Sequence, residues 1–151
     1  MTQPSQPLFS LTKHVVLSLV AFVFFATSML SIAGEQPWFK ESQESQAGAF
    51  LVTLDSGKSA PSINEFHNWN LIITDKSTGE SVVPARITVG GGMAAHGHGL
   101  PTQPQVTEHL GDGQYQLEGI NFNMLGKWTL EFEIASSEVT DLVVFEVVLD
   151  I

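Results

Sequence analysis

The sequence contains no cysteine and few basic residues. Of its 151 residues, six are Lys or Arg and sixteen are Asp or Glu, so the formal net charge is -10 at pH 7. Without cysteine the chain forms no disulfide and offers no thiolate as a nucleophile or a metal ligand. Its acidity disfavours binding to nucleic acid and to anionic lipid surfaces, both of which repel a negative protein. We therefore expect a fold that depends on an ordinary apolar core.

The sequence also lacks the motifs that commonly mark enzymes. No Ser or Lys stands in a recognisable nucleophile motif, and the glycines of Gly90–Gly92 are not followed by the Lys-Ser/Thr pair of a phosphate-binding loop. Glu131 and Glu133 alternate with apolar residues. Two solvated carboxylates on a regular strand do not make an acid/base pair. We therefore expect that the protein is not an enzyme.

One long apolar run lies near the N-terminus. Lys13 is the only charged residue before the run Val15–Ala33, and Ser31-Ile32-Ala33 fits the small-x-small pattern of a cleavage site. We predict a secretory signal peptide over residues 1–33. The run is also long enough to be an uncleaved anchor. In either case the remaining chain is expected outside the cytoplasm, either free in the periplasm or anchored to the inner membrane and facing the periplasm.

Residues 34–48 are polar and are predicted to be a linker, and residues 49–151 are predicted to be one domain. In this domain the apolar residues alternate with a period of two, which is typical of strands with one solvent-exposed face. The residues expected to face inward are Phe50, Val52, Leu54, Trp69, Leu71, Ile73, Ala85, Ile87, Val89, Tyr115, Leu117, Trp128, Leu130, Phe132 and Ile134.

Turn-forming sequences separate these runs, at Asp75–Gly79, at the Gly90–Gly92 triplet and at Asp112-Gly113. No stretch of the domain has a helical apolar stripe. We predict an all-β fold, an immunoglobulin-like β-sandwich of about seven antiparallel strands. The alternation changes phase at Gly119, which predicts a β-bulge there.

Two histidines flank one glycine in the segment Gly91–Pro104. Residues two apart in an extended chain point to the same side, so His96 and His98 can converge on one ion. Imidazole is a ready ligand for copper, zinc and nickel, and the thioether of Met93, three residues earlier, suits copper(I). A His-x-His pair alone is a weak signal, because the same residues in a polar loop commonly contact only water.

Two more residues are candidates for the same site. His67 is in phase with Trp69 at the start of its strand, and Met124 lies in a turn before the Trp128 strand. If the strands alternate in direction, both residues fall at the end of the domain that holds the histidine pair. Each has an ordinary structural alternative, as a hydrogen-bonded histidine or a core methionine. His109 is expected to be a solvated edge residue at the other end.

Several of these pieces occur in an order that resembles the YtkA-like domain family. The matching pieces are His67 and Trp69, Met93 to Thr102, Gly113 and Tyr115, and Phe122 to Trp128. The resemblance covers roughly Phe50 to Ile151. It implies a small exported β-sandwich, similar to the FixH proteins that accompany respiratory oxidases, and often linked to copper or to respiratory and haem-protein assembly. The chain departs from the family pattern at Ala94, where a proline is usual.

The sequence leaves two functions open. The first is a periplasmic domain that binds a transition metal, most likely copper, for holding or delivery, with Met93, His96, His98, His67 and Met124 as its ligands. Its partner would be a periplasmic or membrane copper or haem protein. The second is a non-metal interaction module that docks on a respiratory or haem-protein complex through the loop His96–Thr102.

Overall fold

The computed structural model describes residues 40–57, 60–83 and 85–150. They form nine strands: β1 (Lys40–Glu44), β2 (Phe50–Asp55), β3 (Phe66–Asp75), β4 (Arg86–Met93), β5 (His98–Gly99), β6 (Gln105–Gly111), β7 (Gln114–Asn121), β8 (Gly126–Ala135) and β9 (Thr140–Leu149). One 3-10 turn, Ala94–His96, separates β4 from β5. These residues include no helix with the length and apolar character needed to traverse a bilayer. The predicted signal peptide or anchor, residues 1–33, lies outside the described residues.

The strands form two antiparallel sheets that pack face to face as a β-sandwich. One sheet has the order β1-β2-β3-β7-β6, and the other has the order β5-β4-β8-β9. The predicted all-β sandwich is therefore confirmed, with two strands more than the expected seven. Among the described residues, the buried core lies between Phe50 and Leu149.

The period-two alternation correctly identifies most of the core. Twelve of the residues expected to face inward have 3% or less of their surface exposed. They are Phe50, Val52, Leu54, Trp69, Leu71, Ile73, Tyr115, Leu117, Trp128, Leu130, Phe132 and Ile134. The other three, Ala85, Ile87 and Val89, are only half-buried against this core. Ile87 and Val89 belong to β4, and Ala85 directly precedes it; β4 pairs with β5 only at Gly92 and Met93.

The predicted linker 34–48 is wrong for its last nine residues. Lys40–Glu44 forms the edge strand β1, which pairs along its whole length with β2. Because an edge strand is held by backbone hydrogen bonds, it needs no alternation of apolar residues, and none is present in Lys-Glu-Ser-Gln-Glu. The turn after β1 is also ordered, since the amide of Gln46 donates to the carbonyl of Leu142 at 2.8 Å.

The glycine triplet is not a turn. Gly90, Gly91 and Gly92 continue β4 and pair with Glu131, Leu130 and Thr129 of β8. The backbones of the neighbouring strands β4 and β8 approach so closely here that a Cβ at Gly91 would lie 2.1 Å from the carbonyl oxygen of Thr129. The glycines are thus needed for close backbone packing within a strand.

The predicted bulge at Gly119 is confirmed. His67 pairs with Ile120 while Trp69 pairs with Leu117, so β7 carries one extra residue between the two pairs. Gly119 has φ +83, the left-handed conformation that glycine adopts without strain. The bulge brings Ile120 back to the inward face, which keeps the end of β7 in the core.

Candidate metal centre

Residues from both sheets meet at one end of the sandwich. His67 stands near the start of β3, and Met93 is the last residue of β4. These strands lie in different sheets and cross the sandwich in opposite directions, so the beginning of one is near the end of the other. Met124 lies in the short connection from β7 to β8, which joins the two sheets at this same end. The five candidate residues therefore share one end, as the alternating strand directions predict.

A row of aromatic rings links the two sheets at this end. Phe122 packs edge-on against Trp128, with ring centres 5.5 Å apart. The ring of Trp69 lies 6.0 Å from Phe122 on the first sheet, and that of His98 lies 5.6 Å from Trp128 on the second. Trp128 is fully buried and donates its Nε1 hydrogen to the carbonyl of Met124 at 3.0 Å. The row gives the histidine loop a rigid apolar floor.

The histidine pair is brought together by a turn. His96 ends the 3-10 turn, His98 begins β5, and Gly97 between them has φ +67 and ψ +27, the left-handed conformation. The amide of Gly97 donates to the carbonyl of Ala94 at 3.1 Å, which closes the turn. The expected extended His-Gly-His geometry is therefore wrong. The two rings nonetheless lie 6.1 Å apart between centres, at 43°, and both residues are exposed.

This separation is at the upper limit for two imidazoles on one ion. A first-row metal binds an imidazole nitrogen at about 2.0–2.1 Å, which places the ring centre roughly 3 Å from the ion. Two rings on opposite sides of an ion then have centres about 6 Å apart, against the 6.1 Å found for His96 and His98. Two rings at this distance could therefore ligate one ion only with their nitrogens on nearly opposite sides of it.

A backbone contact determines which nitrogen of His98 is free. Its Nδ1 lies 2.9 Å from the carbonyl oxygen of Gly99. A carbonyl only accepts hydrogen bonds, so Nδ1 of the neutral ring carries the hydrogen and Nε2 keeps its lone pair. This is the arrangement usual for metal-binding histidines, whose second nitrogen donates to a backbone or carboxylate oxygen. The His98 side chain is thus oriented for ligation through Nε2.

The two methionines occupy different environments. Met93 pairs directly with His98 across β4 and β5, so the two side chains leave the same face of the sheet. Only 1% of Met93 is exposed, and it belongs to the core. Met124 is half-buried and packs against the core. Both side chains therefore fill core space, and only Met93 is placed directly across from a histidine.

His67 is hydrogen-bonded to the loop that precedes its own strand. Its Nε2 lies 2.8 Å from the carbonyl oxygen of Ser62, to which it donates. Its ring lies 6.3 Å from Phe122 and 6.4 Å from Trp69. The contacts are those of a structural histidine at the rim of the core. His109 is exposed on the edge strand β6, as expected, where its ring lies 4.8 Å from that of Tyr115.

Within residues 40–57, 60–83 and 85–150, no three side chains of the His, Asp and Glu types stand close enough together to hold one ion. In this part of the chain the histidine pair therefore brings together at most two imidazole donors. Sequence reasoning counted Trp128 only as a core residue. Its position at the start of β8, directly after the Met124 turn, was the signal that it lies beneath the histidine loop.

Comparison with known proteins identifies one family. The family model described as YtkA-like matches residues 51–133, which is more than half of the chain. The matched residues run from β2 into β8 and include the whole histidine loop. Comparisons with curated proteins and with solved structures find no match.

Proposed function

The chain belongs to the YtkA-like family, and we propose that it is an exported domain that binds copper(I) at His96 and His98, for holding or delivery. The observation that carries this proposal is the pair of exposed imidazoles with ring centres 6.1 Å apart. The hydrogen bond from His98 Nδ1 to Gly99 supports it, because it leaves Nε2 free as a ligand. A binding role, rather than a catalytic one, fits a site without an acid/base pair.

The donor set fits copper(I) in its chemistry. Imidazole nitrogens and thioether sulfur are the softer ligands of proteins, and copper(I) prefers them to carboxylates. The neighbouring Met93 can supply a thioether from the same face as His98. Both histidines are exposed, so a partner protein can approach the ion directly. Accessibility of this kind is what a protein that passes on copper requires.

The proposal is tested by titrating the protein without residues 1–33 with copper(I) against a competing chelator. We expect one ion per chain. The double variant His96→Ala/His98→Ala should lose at least a hundredfold in affinity, because both nitrogen donors are gone. Its unfolding transition should not change, since neither side chain is buried. His109→Ala is the matched control, an exposed histidine on another edge, and should bind like the wild type.

A wild-type protein that takes no copper from the chelator would refute this function. That result would favour the second hypothesis, a non-metal module that docks through the loop His96–Thr102. In that case Leu100→Ala or Pro101→Ala should harm partner binding more than the histidine substitutions do.

A separate prediction concerns the third donor. Met93→Leu conserves the core volume but removes the sulfur, so we expect copper(I) affinity to fall about tenfold, with stability changed by less than about 1.5 kcal/mol. Met124→Leu serves as the control, because Met124 is also a methionine packed against the core, but it is not paired with a histidine across the sheet. Equal affinities for the two variants would show that Met93 is only a core residue.

A further inference from the structure

Two strand edges lie open side by side, far from the strand β1 at which the described chain begins. β5 pairs with β4 only at Gly92 and Met93, so in the described part of the chain no strand covers the outer edge of β4 over residues 86–91. β6 is the last strand of the other sheet. Between the two edges runs a groove of about 570 Å³, lined by residues 86–89 and 103–106. Exposed strand edges carry unpaired backbone N–H and C=O groups and readily accept another strand.

The floor of this groove is apolar. Ile87 and Val89 of β4 and Val106 of β6 are half-buried and pack against the core without being covered by it. The alternation of β4 predicts full burial for the first two. They fall short because nothing in the described chain fills the space between the edges of β4 and β6. An extended segment with alternating apolar side chains would cover all three.

One end of the groove carries a free positive charge. Of the cations whose side chains are described, Lys76 pairs with Glu44 and Lys127 pairs with Glu146. Arg86 is exposed, lines the groove, and has no ion pair among the described residues. In a chain of net charge -10, an unpaired arginine beside an apolar groove is complementary to a carboxylate on the occupant.

We propose that this groove binds an extended peptide segment of a partner protein by strand addition to β4. The segment runs antiparallel to β4 and continues the row that β5 begins at Gly92. Its alternate apolar side chains cover Ile87, Val89 and Val106, and an acidic residue at its carboxyl end pairs with Arg86. Backbone hydrogen bonds supply affinity in this mode and the alternate side chains supply selectivity. The residues that line this groove do not include His96 or His98, so peptide binding does not depend on the proposed copper site.

The segment that follows the histidine loop in sequence forms part of the groove wall. Residues 100–104 connect β5 to β6, and Gln103 and Pro104 line the groove. The hydroxyl of Thr102 donates to the carbonyl of Gly119 at 2.7 Å, which fastens this connection to β7. A strand bound along β4 would therefore begin beside His98. A partner held there is placed next to the imidazole pair without covering it.

The test uses the peptide acetyl-Val-Thr-Val-Thr-Val-Glu-amide and the isotope-labelled protein without residues 1–33, followed by NMR. We expect shifts and slower amide exchange over residues 86–91 and 103–106 at millimolar peptide. Arg86→Gln should weaken binding about three- to fivefold. Lys127→Gln, which removes a cation on another edge, should have no effect. A peptide ending in Lys should bind the wild type as weakly as the Glu peptide binds Arg86→Gln.

A peptide N-methylated at every residue has no backbone N–H group to donate to a strand edge and should not bind. Equal binding of the methylated peptide, changes located elsewhere, or no change at all would each overturn the proposal. Protection of residues 86–91 that rises with protein concentration alone would also overturn it, in favour of pairing between two copies of this chain.

Discussion

Gly91→Ala is expected to lower the free energy of unfolding by more than about 4 kcal/mol, a large fraction of the stability of a typical domain. Gly91 has φ +126, and an added Cβ would lie 2.1 Å from the carbonyl oxygen of Thr129. That oxygen belongs to the backbone of β8, so it cannot rotate away as a side chain can. Relief requires β4 and β8 to separate, which breaks the backbone pairing within their sheet.

The measurement is urea unfolding followed by the fluorescence of the buried Trp69 and Trp128. Gly79→Ala is the matched control, since Gly79 has φ +74 but nothing within 4 Å of an added Cβ. It should cost only about 1 kcal/mol, the conformational strain alone. Equal losses for the two variants would show that the close approach of β4 to β8 does not limit stability.

Asp141→Asn is expected to cost about 3 kcal/mol, because its carboxylate fastens the β1–β2 turn to β9. Only 7% of Asp141 is exposed. Its oxygens accept hydrogen bonds from the amides of Ala47 at 3.0 Å, Ala49 at 3.2 Å and Leu142 at 2.8 Å. An asparagine has one acceptor oxygen, and its NH2 group would face amide donors. At least one buried N–H group would lose its partner.

Glu146→Gln is the control for this substitution. It removes an acid from the same strand, but one whose ion pair with Lys127 is exposed, so we expect a change below about 0.5 kcal/mol. Hydrogen exchange should locate the damage in Asp141→Asn, with faster exchange in β1 and in its turn while β7 and β8 stay protected. A uniform loss of protection would contradict a local role of Asp141 in holding the β1–β2 turn against β9.

The hydrogen-bonded carboxylate of Asp141 should also make the free energy of unfolding depend on pH. Burial raises the pKa of this carboxyl, but the hydrogen bonds from the Ser45 side chain and from the three backbone amides outweigh burial and lower the pKa from 3.8 to about 2. The folded protein therefore binds this proton more weakly than the unfolded chain does. The contribution, about 2 kcal/mol, is fully present above about pH 4 and is lost as the pH falls through 2. The stability gap between wild type and Asp141→Asn should narrow over that interval.

Much of the fold follows from local sequence. A strand with one buried face must place apolar residues at every second position, and the runs around Val52, Leu71 and Phe132 do so. The same rule locates the bulge at Gly119, because a change of phase cannot be accommodated in a regular pair of strands. The direction of successive strands then places His67, Met93 and Met124 at one end.

The edges of the sheets do not follow from that rule. β1 is polar throughout, and it is held by pairing with β2 and by the contacts of its turn with Leu142 and Asp141. The local sequence gives no sign of the contacts with Leu142 and Asp141, because these residues are more than ninety positions away. The glycine triplet misleads for the same reason: glycine occurs in turns, but it also permits the close approach of two backbones, which only the neighbouring strand reveals.

For the candidate site, the sequence alone determined its components: two histidines around a glycine, a methionine near them, and no cysteine. Tertiary structure decided their arrangement. It places Trp128 beneath His98, draws Met93 into the core, and leaves the β4 edge open beside Arg86. These are contacts between segments distant in sequence, and their energies depend on the packing of two sheets rather than on any local period.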